Sequence, residues 1–209
     1  MSSVGDGFAW PFQDQGWFGK VLLQGLIAII PIVGWIALAG WMMLTIDNYR
    51  AGRRELPPAG FHLARGAPLF LVGLVWSVVF GLPGSALSSA GVRADATGLT
   101  SLGDLVNFAL RLLLSFLTPA IIVHTYERGL SGGFDVSAVW ETAMANANNS
   151  LIAGLVIIAA DLIGGLGIIL CCVGLLFTIP YAVAITAGVV TWYEQMMGGP
   201  RTAPPPTTA

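Results

Sequence analysis

Residues 149–194 read NSLIAGLVIIAADLIGGLGIILCCVGLLFTIPYAVAITAGVVTWYE. The apolar residues are almost continuous, and the run is broken once, at residues 170–174. Each half is long enough to cross a bilayer, because about 20 apolar residues in a helix span the hydrocarbon core. One acid, Asp161, lies inside the first half. The stretch therefore predicts a transmembrane helical hairpin with a single ionisable residue in its first arm.

The composition of the whole chain indicates that its solvent is lipid. The chain has 209 residues, of which 56% are hydrophobic and only 10% are charged, whereas soluble domains have about 25% charged residues. Ten-residue alternating segments, which would indicate a membrane β-barrel, do not occur. A net charge of −2 argues against a nucleic-acid partner. No basic region precedes the first apolar run, so we expect that run to be retained rather than cleaved as a signal peptide.

Applied to the rest of the chain, the same argument predicts an all-α, polytopic transmembrane bundle. It would contain three helical hairpins, and hence six membrane segments: 17–30, 32–49, 66–90, 104–126, 150–170 and 174–194. These form one transmembrane domain, 17–197, between an interfacial polar N-terminus, 1–16, and a proline- and threonine-rich tail, 198–209, that we expect to be disordered. Apolar residues recur at helical spacing over 134–148, which predicts an amphipathic helix in the membrane interface.

The first predicted pair of segments has two interpretations. Pro31 and Gly34 interrupt the apolar run between residues 21 and 46. The run is either one kinked, tilted helix that spans the membrane, or a short hairpin that turns at residues 30–34. In the hairpin, the first arm, 17–30, would be only about 21 Å long, against a hydrocarbon core of about 30 Å. It would then be re-entrant, or would thin the bilayer locally.

A weak internal repeat favours three hairpins. Three apolar segments end on a tyrosine, at Tyr49, Tyr126 and Tyr193, which also suits an anchoring role at the interface. Three polar stretches that lead into an apolar segment begin with a phenylalanine: Phe12, Phe61 and Phe134. The repeat therefore predicts that both termini lie on the same side as the polar linkers.

The basic residues predict which side that is. Of the nine lysines and arginines, Arg93 would lie on the opposite side and Arg111 inside a segment. The others would share one side: Lys20, Arg50, Arg53, Arg54, Arg65, Arg128 and Arg201. Basic residues favour the cytoplasmic side, so we expect a multi-pass protein of the inner cell membrane with cytoplasmic termini. A five-span protein would also have cytoplasmic linkers, so charge alone leaves the N-terminus open.

Short motifs follow one another in a characteristic order. They are Trp10-Pro11-Phe12-Gln13-Asp14 ahead of Trp17, Ile30-Pro31-Ile32-Val33-Gly34, Glu55-Leu56-Pro57, Tyr126-Glu127-Arg128-Gly129 and Cys172-Val173-Gly174-Leu175. This order resembles the bacterial and archaeal family called domain of unknown function 4013. The resemblance implies a polytopic membrane protein and no mechanism. Pro58-Ala59-Gly60 departs from the family, which tends to be acidic after the Leu-Pro pair.

Two ionisable residues are expected at similar depth inside the membrane, Asp161 and Arg111. Because such groups are costly in lipid and normally pair, the sequence predicts an intramembrane ion pair between them. The pair would either fix helix packing or mark a path for a solute or a proton.

Four arginines form a second candidate set: Arg50, Arg53, Arg54 and Arg65. They are either topology determinants or contacts with anionic lipid headgroups of the inner leaflet. We expect no catalytic, cofactor-binding or metal site, because the adjacent Cys171 and Cys172 lack the spacing of a metal site or disulfide. No nucleophile–base or phosphate-loop motif is present either.

Three functions are compatible with these features. The first is a non-enzymatic integral membrane protein that packs with lipid and with other membrane proteins or a second copy of itself. The second is a small-solute transporter or channel component with Asp161 in its path. The third, which has the least support, is a membrane enzyme that acts on lipids.

Overall fold

The computed structural model describes residues 5–168 and 174–198, and the regular structure in these two ranges is helical. The helices are α1 (Asp6–Ala9), α2 (Trp17–Ala28), α3 (Val33–Arg50), α4 (Leu63–Arg93), α5 (Thr97–Gly133), α6 (Val136–Ala145), α7 (Ala147–Leu166) and α8 (Leu175–Met196). A 3-10 helix, Trp10–Gln13, follows α1 directly. The all-α expectation is therefore confirmed for these residues. The cysteine pair at the predicted turn and the tail after Gly198 lie outside the described residues.

Four of these helices, α4, α5, α7 and α8, are long and apolar enough to cross a membrane. The chain thus has the helices of a multi-pass membrane protein. The helix α2 is apolar but has only 12 residues, or about 18 Å at 1.5 Å per residue. The first predicted pair of segments therefore differs from the other two pairs in length.

The surface of the bundle has the residue distribution expected in lipid. In α7 the buried side consists mainly of small residues such as Ala153, Gly154 and Ala160. The outward side has large apolar residues, and Leu155 and Leu162 are 55% and 66% exposed. Small residues let helices approach closely where the hydrophobic effect gives no drive for association. The outside of this bundle thus suits acyl chains better than water.

The helices pack in consecutive pairs that close into a ring. Within the pairs, α2 contacts α3, α4 contacts α5, and α7 contacts α8. Between the pairs, α3 contacts α4, α5 contacts α7, and α8 returns to α2. The helix α8 also contacts α3 and α5. Apolar side chains from several helices fill the space where α8 meets α3 and α5: Met43, Ile46, Ile122, Ile185, Val189 and Val190.

The helices α2 and α3 are separate, with a short turn between them. Residues 29–32 separate the two helices, and Ile32 has a φ angle of 63°. Gly34 lies directly against the backbone of Ile27 and Ala28 in the preceding helix, where a Cβ atom would collide. A single kinked helix through Pro31 is therefore not what the structure contains.

The helices α4 and α5 extend further than predicted. The sequence predicts segments ending at residue 90 and starting again at 104, whereas only residues 94–96 interrupt the helices. Gly91 and Gly103 allow the two helices to approach, because a Cβ on either would meet the other helix. Ser88 Oγ donates a hydrogen bond to Asp104 Oδ1 at 2.7 Å. Polar residues that suggest a loop in sequence thus find partners across the helix pair.

The helix predicted near residues 134–148 is present as α6. Asp135 caps it, because its Oδ1 accepts a hydrogen bond from the amide of Ala138 at 3.0 Å. Val139 packs against α4 and α5, while Trp140 and Met144 are exposed. The helix α6 thus has apolar residues both where it packs on the bundle and on its exposed side.

The N-terminal segment is joined to the loop between α3 and α4. Lys20 Nζ donates to Asp14 Oδ2 and to the carbonyl of Leu56, both at 2.7 Å, and the amide of Leu56 donates to Asp14 Oδ2 at 2.8 Å. Burial alone would raise the pKa of Asp14, yet the hydrogen bonds from Lys20, Gly16 and Leu56 hold that pKa below its ordinary value. The charged carboxylate therefore ties the segment, α2 and the loop together.

Candidate functional site

Charged and aromatic side chains meet at one end of the bundle, where α3 and α8 end and α4 begins. We call five of them the end cluster: Asp47, Arg50, Arg65, Tyr126 and Glu194. Three of the five lie at or next to the tyrosines that end the predicted repeats. The sequence places Arg50 and Glu194 directly after Tyr49 and Tyr193, so the packing of α3 against α8 brings equivalent positions together.

An ion pair between Arg50 and Glu194 is the centre of this cluster. Arg50 donates from both Nε and a terminal nitrogen to the two carboxylate oxygens, with an Nε–Oε2 distance of 2.9 Å. Both side chains are only 6% exposed. The Arg50 guanidinium carbon also lies 3.8 Å from the centroid of the Tyr126 ring, a cation–π arrangement. Bidentate geometry and stacking together hold the guanidinium in one orientation.

Asp47, near the end of α3, contacts residues of both α4 and α5. It accepts one hydrogen bond from the hydroxyl of Tyr126 and forms an ion pair with Arg65. The Arg65 guanidinium lies 5.6 Å from the same tyrosine ring. Tyr126 is thus placed between two guanidiniums and a carboxylate, which couples α5 to the end of α3 and the start of α4.

His124 extends the polar contacts along α5. A terminal nitrogen of Arg128 donates to its Nδ1 at 2.6 Å, and its Nε2 lies 2.8 Å from the hydroxyl of Thr142. Because arginine can only donate, Nδ1 must accept, and the proton lies on Nε2. Arg128 also pairs with Asp135 at 3.3 Å. The neutral imidazole therefore bridges α5 and α6.

Each of the three repeated tyrosines has a partner. Tyr49 packs edge-on against Trp10 with ring centroids 4.9 Å apart. The hydroxyl of Tyr193 lies 3.0 Å from that of Ser150 and donates to the carbonyl of Thr142 at 3.3 Å. These contacts join α8 to α6 and α7, so the tyrosines fix helix ends to one another.

A small polar cleft of about 130 Å³ opens beside the cluster. It is lined by Arg50, His124, Glu127, Thr142 and Glu194, among others. It has room for ordered water or one small polar group. The end cluster thus joins helix ends through ion pairs, and its side chains present both hydrogen-bond donors and acceptors to the cleft.

The four arginines of the candidate lipid-contact set divide into two pairs. Arg50 and Arg65 are engaged in the end cluster, and Arg50 is buried. Arg53 and Arg54 are exposed, and their observed hydrogen-bond partners are neutral amide oxygens of Asn48 and Gln13. The side chain of Arg50 is held by Glu194, and contact of the four arginines with lipid headgroups stays a prediction.

The other predicted pair, Asp161 and Arg111, does not meet directly. Both residues are exposed on the outside of the bundle. No ion pair within 4.0 Å joins them among the salt bridges of residues 5–168 and 174–198. The charge of Arg111 nevertheless acts on Asp161, so an interaction between the two residues stays a prediction. Its geometry depends on the rotation of each helix about its axis, which sequence alone does not specify.

The most buried ion pair was missed by the sequence analysis. The sequence analysis assigns no function to Glu194, although this residue directly follows the third repeated tyrosine, as Arg50 directly follows the first. Opposite charges at equivalent positions of a repeat were the available signal. The join between Asp14, Lys20 and Leu56 has no such signal, because Leu56 contributes only backbone atoms.

A metal site finds no support in the part of the chain that the structure describes. Within it, no three histidine, cysteine, aspartate or glutamate side chains are grouped as a metal ion would require. The cysteines at 171 and 172 lie outside that part.

Comparison with known proteins gives one match. The model of the family "Protein of unknown function (DUF4013)" matches residues 23–173, which run from α2 to the connection before α8. Comparison with curated proteins and with solved structures finds no match. The matched range covers well over half of the chain, and it is the family that the order of motifs resembles. The chain therefore belongs to the DUF4013 family of proteins of unknown function.

Proposed function

We propose that the protein is a non-enzymatic integral membrane protein, a packing or accessory component that associates with other membrane proteins or with a second copy of itself. One observation carries the proposal most directly. The region where α8 meets α3 and α5 is filled by apolar side chains, and the buried charges at the bundle end neutralise one another. A bundle built this way is suited to holding its shape in lipid rather than to moving a solute through its centre.

The position of Asp161 supports the same choice over a transporter or channel component. Its side chain is exposed and is not among the residues of the apolar cluster where α8 meets α3 and α5. An acid in a conduction path would face the bundle interior or a water-filled cavity. The outward position instead suits snorkelling towards a headgroup region or contact with a neighbouring protein.

The proposed topology has three hairpins and six membrane segments, with the end cluster and both termini on the cytoplasmic side of the inner cell membrane. The closed ring of consecutive helix pairs supports this order. The helices α7 and α8 have 20 and 22 residues, or about 30 and 33 Å, which matches the hydrocarbon core. The helix α4, with 31 residues, is about 46 Å long. Its far end would project beyond the opposite face.

We expect purified protein in liposomes to conduct neither protons nor small solutes. The physical reason is the packing of apolar side chains where α8 meets α3 and α5, which disfavours water there in the described part of the chain. Dye-based proton flux and solute efflux from protein-containing vesicles should equal those of empty vesicles, and Asp161→Asn should change neither. A protein-dependent flux that disappears in a correctly folded Asp161→Asn protein would establish the transporter alternative.

The proposed association with a second copy or another membrane protein is tested in the native membrane, before detergent is added. Chemical crosslinking ahead of solubilisation should give one dominant product, containing either a second copy or one fixed membrane protein. Only uncrosslinked monomer, over a range of crosslinker lengths, would count against an accessory role.

The proposed orientation predicts which positions a membrane-impermeant maleimide reaches in intact cells. In a Cys171→Ser/Cys172→Ser background, a cysteine in place of Arg93 should be labelled and one in place of Arg53 should be labelled only after the cells are opened. The reason is that the two positions lie at opposite ends of the helices. Labelling of position 53 in intact cells would reverse the orientation, and labelling of both would exclude a spanning bundle.

A further inference from the structure

Two arginines that follow α3 form no ion pair with any of the residues that the structure describes. Arg53 donates to Asn48 Oδ1 from Nε at 3.2 Å and from a terminal nitrogen at 2.8 Å, and Arg54 donates to Gln13 Oε1 at 3.3 Å. Among the described residues, no carboxylate lies within 4.0 Å of either guanidinium. Each therefore keeps its full charge, and most of its N–H donors remain for another acceptor.

Both guanidiniums line a polar cavity of about 490 Å³, which we call the Arg53–Arg54 pocket. The N-terminal segment forms one wall with Gln13 and Asp6, and Tyr49 and Gln195 contribute at the ends of α3 and α8. Two arginines and one aspartate give the lining a net charge of +1. Neutral amides orient the guanidiniums, so their charge is held in place and Asp6 offsets only part of it.

The chemistry of this lining fits a phosphodiester. Planar guanidiniums bind phosphate oxygens through pairs of parallel hydrogen bonds. A phosphodiester has a single negative charge, which matches the net charge of the lining better than the dianion of a phosphomonoester. Tyr49 adds a hydroxyl group that can contact a polar headgroup.

An apolar groove borders the same N-terminal segment. It has a volume of about 340 Å³ and is lined mainly by aromatic residues, including Phe12, Phe18, Phe177 and Tyr181. Phe12 and Phe18 are 50% and 55% exposed, and Phe18 packs on Phe177 with ring centroids 5.0 Å apart. The 3-10 helix at Trp10–Gln13 presents Phe12 to this groove and Gln13 to the Arg53–Arg54 pocket. A charged pocket and an apolar groove on one short element suit the two parts of a phospholipid.

We propose that the Arg53–Arg54 pocket binds the phosphodiester headgroup of an anionic phospholipid, with an acyl chain in the aromatic groove. The lipid would join the N-terminal segment to the ends of α3 and α8. This inference rests on the proposed membrane insertion, because the lipid would reach both sites from the bilayer.

The test compares binding of phosphatidylglycerol and phosphatidylcholine to the full-length protein in detergent micelles, by native mass spectrometry and thermal shift. We expect phosphatidylglycerol to be preferred, and an Arg53→Gln/Arg54→Gln protein to bind it about 30-fold more weakly, at about fivefold for each basic residue near an anionic group. Arg93→Gln removes one positive charge from an exposed site at the far end of α4, and its binding should equal that of the wild type, whereas either single variant, Arg53→Gln or Arg54→Gln, should lose about fivefold. Phe18→Ala should also weaken binding of the whole lipid relative to the wild type, because it removes apolar contact in the groove and leaves the charge of the protein unchanged.

Soluble glycerophosphoglycerol separates a lipid from a free phosphodiester. Weak binding of this headgroup, with much tighter binding of the whole lipid, supports the proposal. Equal binding of both, unaffected by Phe18→Ala, overturns the lipid and leaves a site for a soluble anion. Equal loss in the Arg93→Gln and double variants, or no loss in a folded double variant, overturns the pocket. Flotation with lipid vesicles measures membrane insertion independently of headgroup binding. A protein that does not float with vesicles would contradict the proposed membrane insertion, whatever the lipid-binding result.

Discussion

Replacing Glu194 with leucine is expected to destabilise the protein in detergent by about 3–5 kcal/mol, because breaking a buried ion pair leaves its partner uncompensated. Arg50 would remain only 6% exposed, without the carboxylate that accepts two of its hydrogen bonds. Stacking on Tyr126 would persist, but an aromatic face does not replace a carboxylate. In a chain of this size the midpoint of thermal unfolding should fall by about 6–20 °C.

The double variant Arg50→Met/Glu194→Leu distinguishes two causes of destabilisation. One is an unpaired buried charge, and the other is the loss of side-chain packing. Well-packed apolar residues often replace a buried pair at little cost, so the double variant should regain most of the stability that either single variant loses. Glu141→Gln, which changes an exposed carboxylate on α6, should stay within about 0.5 kcal/mol of the wild type. If the double variant is as unstable as the sum of the singles, the two side chains act independently and the pair does not join α3 to α8.

Replacing Gly66 with alanine is expected to cost about 1–3 kcal/mol or more, as overpacking does in a close-packed interior. A methyl group at this position would collide with the carbonyl oxygen of Ile36 and come within 3.0 Å of the Cα atom of Gly40. Both obstacles are backbone atoms of α3, so a side chain cannot simply rotate away. The helices α3 and α4 would have to separate along their whole contact.

The matched control lies two turns along the same helix. Gly73 has open space where a Cβ would lie, and alanine is favoured over glycine in a helix by about 1 kcal/mol. Gly73→Ala should therefore be neutral or mildly stabilising in the same thermal unfolding assay. Equal stability of the two variants would mean that α3 and α4 do not pack as closely as Gly66 requires.

Hydropathy and composition were sufficient for the class of the protein. The apolar runs predict helices at the four places where the structure has helices able to cross a membrane. They do so because burial in lipid depends on each residue separately and adds along the chain. Sequence alone leaves two interpretations of Pro31 and Gly34, since a proline both kinks and ends helices. In the structure α2 and α3 are separate helices, and Gly34 packs directly against the end of α2.

The sequence by itself determined an all-helical chain with long apolar segments, the family to which it belongs, and the repeated tyrosines at the helix ends. Only the tertiary structure decided which charges meet. Arg50 pairs with Glu194, 144 residues away, whereas Asp161 and Arg111 form no ion pair within 4.0 Å in the described part of the chain. Segment composition is a property of local sequence, whereas an ion pair depends on how each helix is rotated about its axis. That rotation follows from where small residues such as Gly66 allow neighbouring helices to touch.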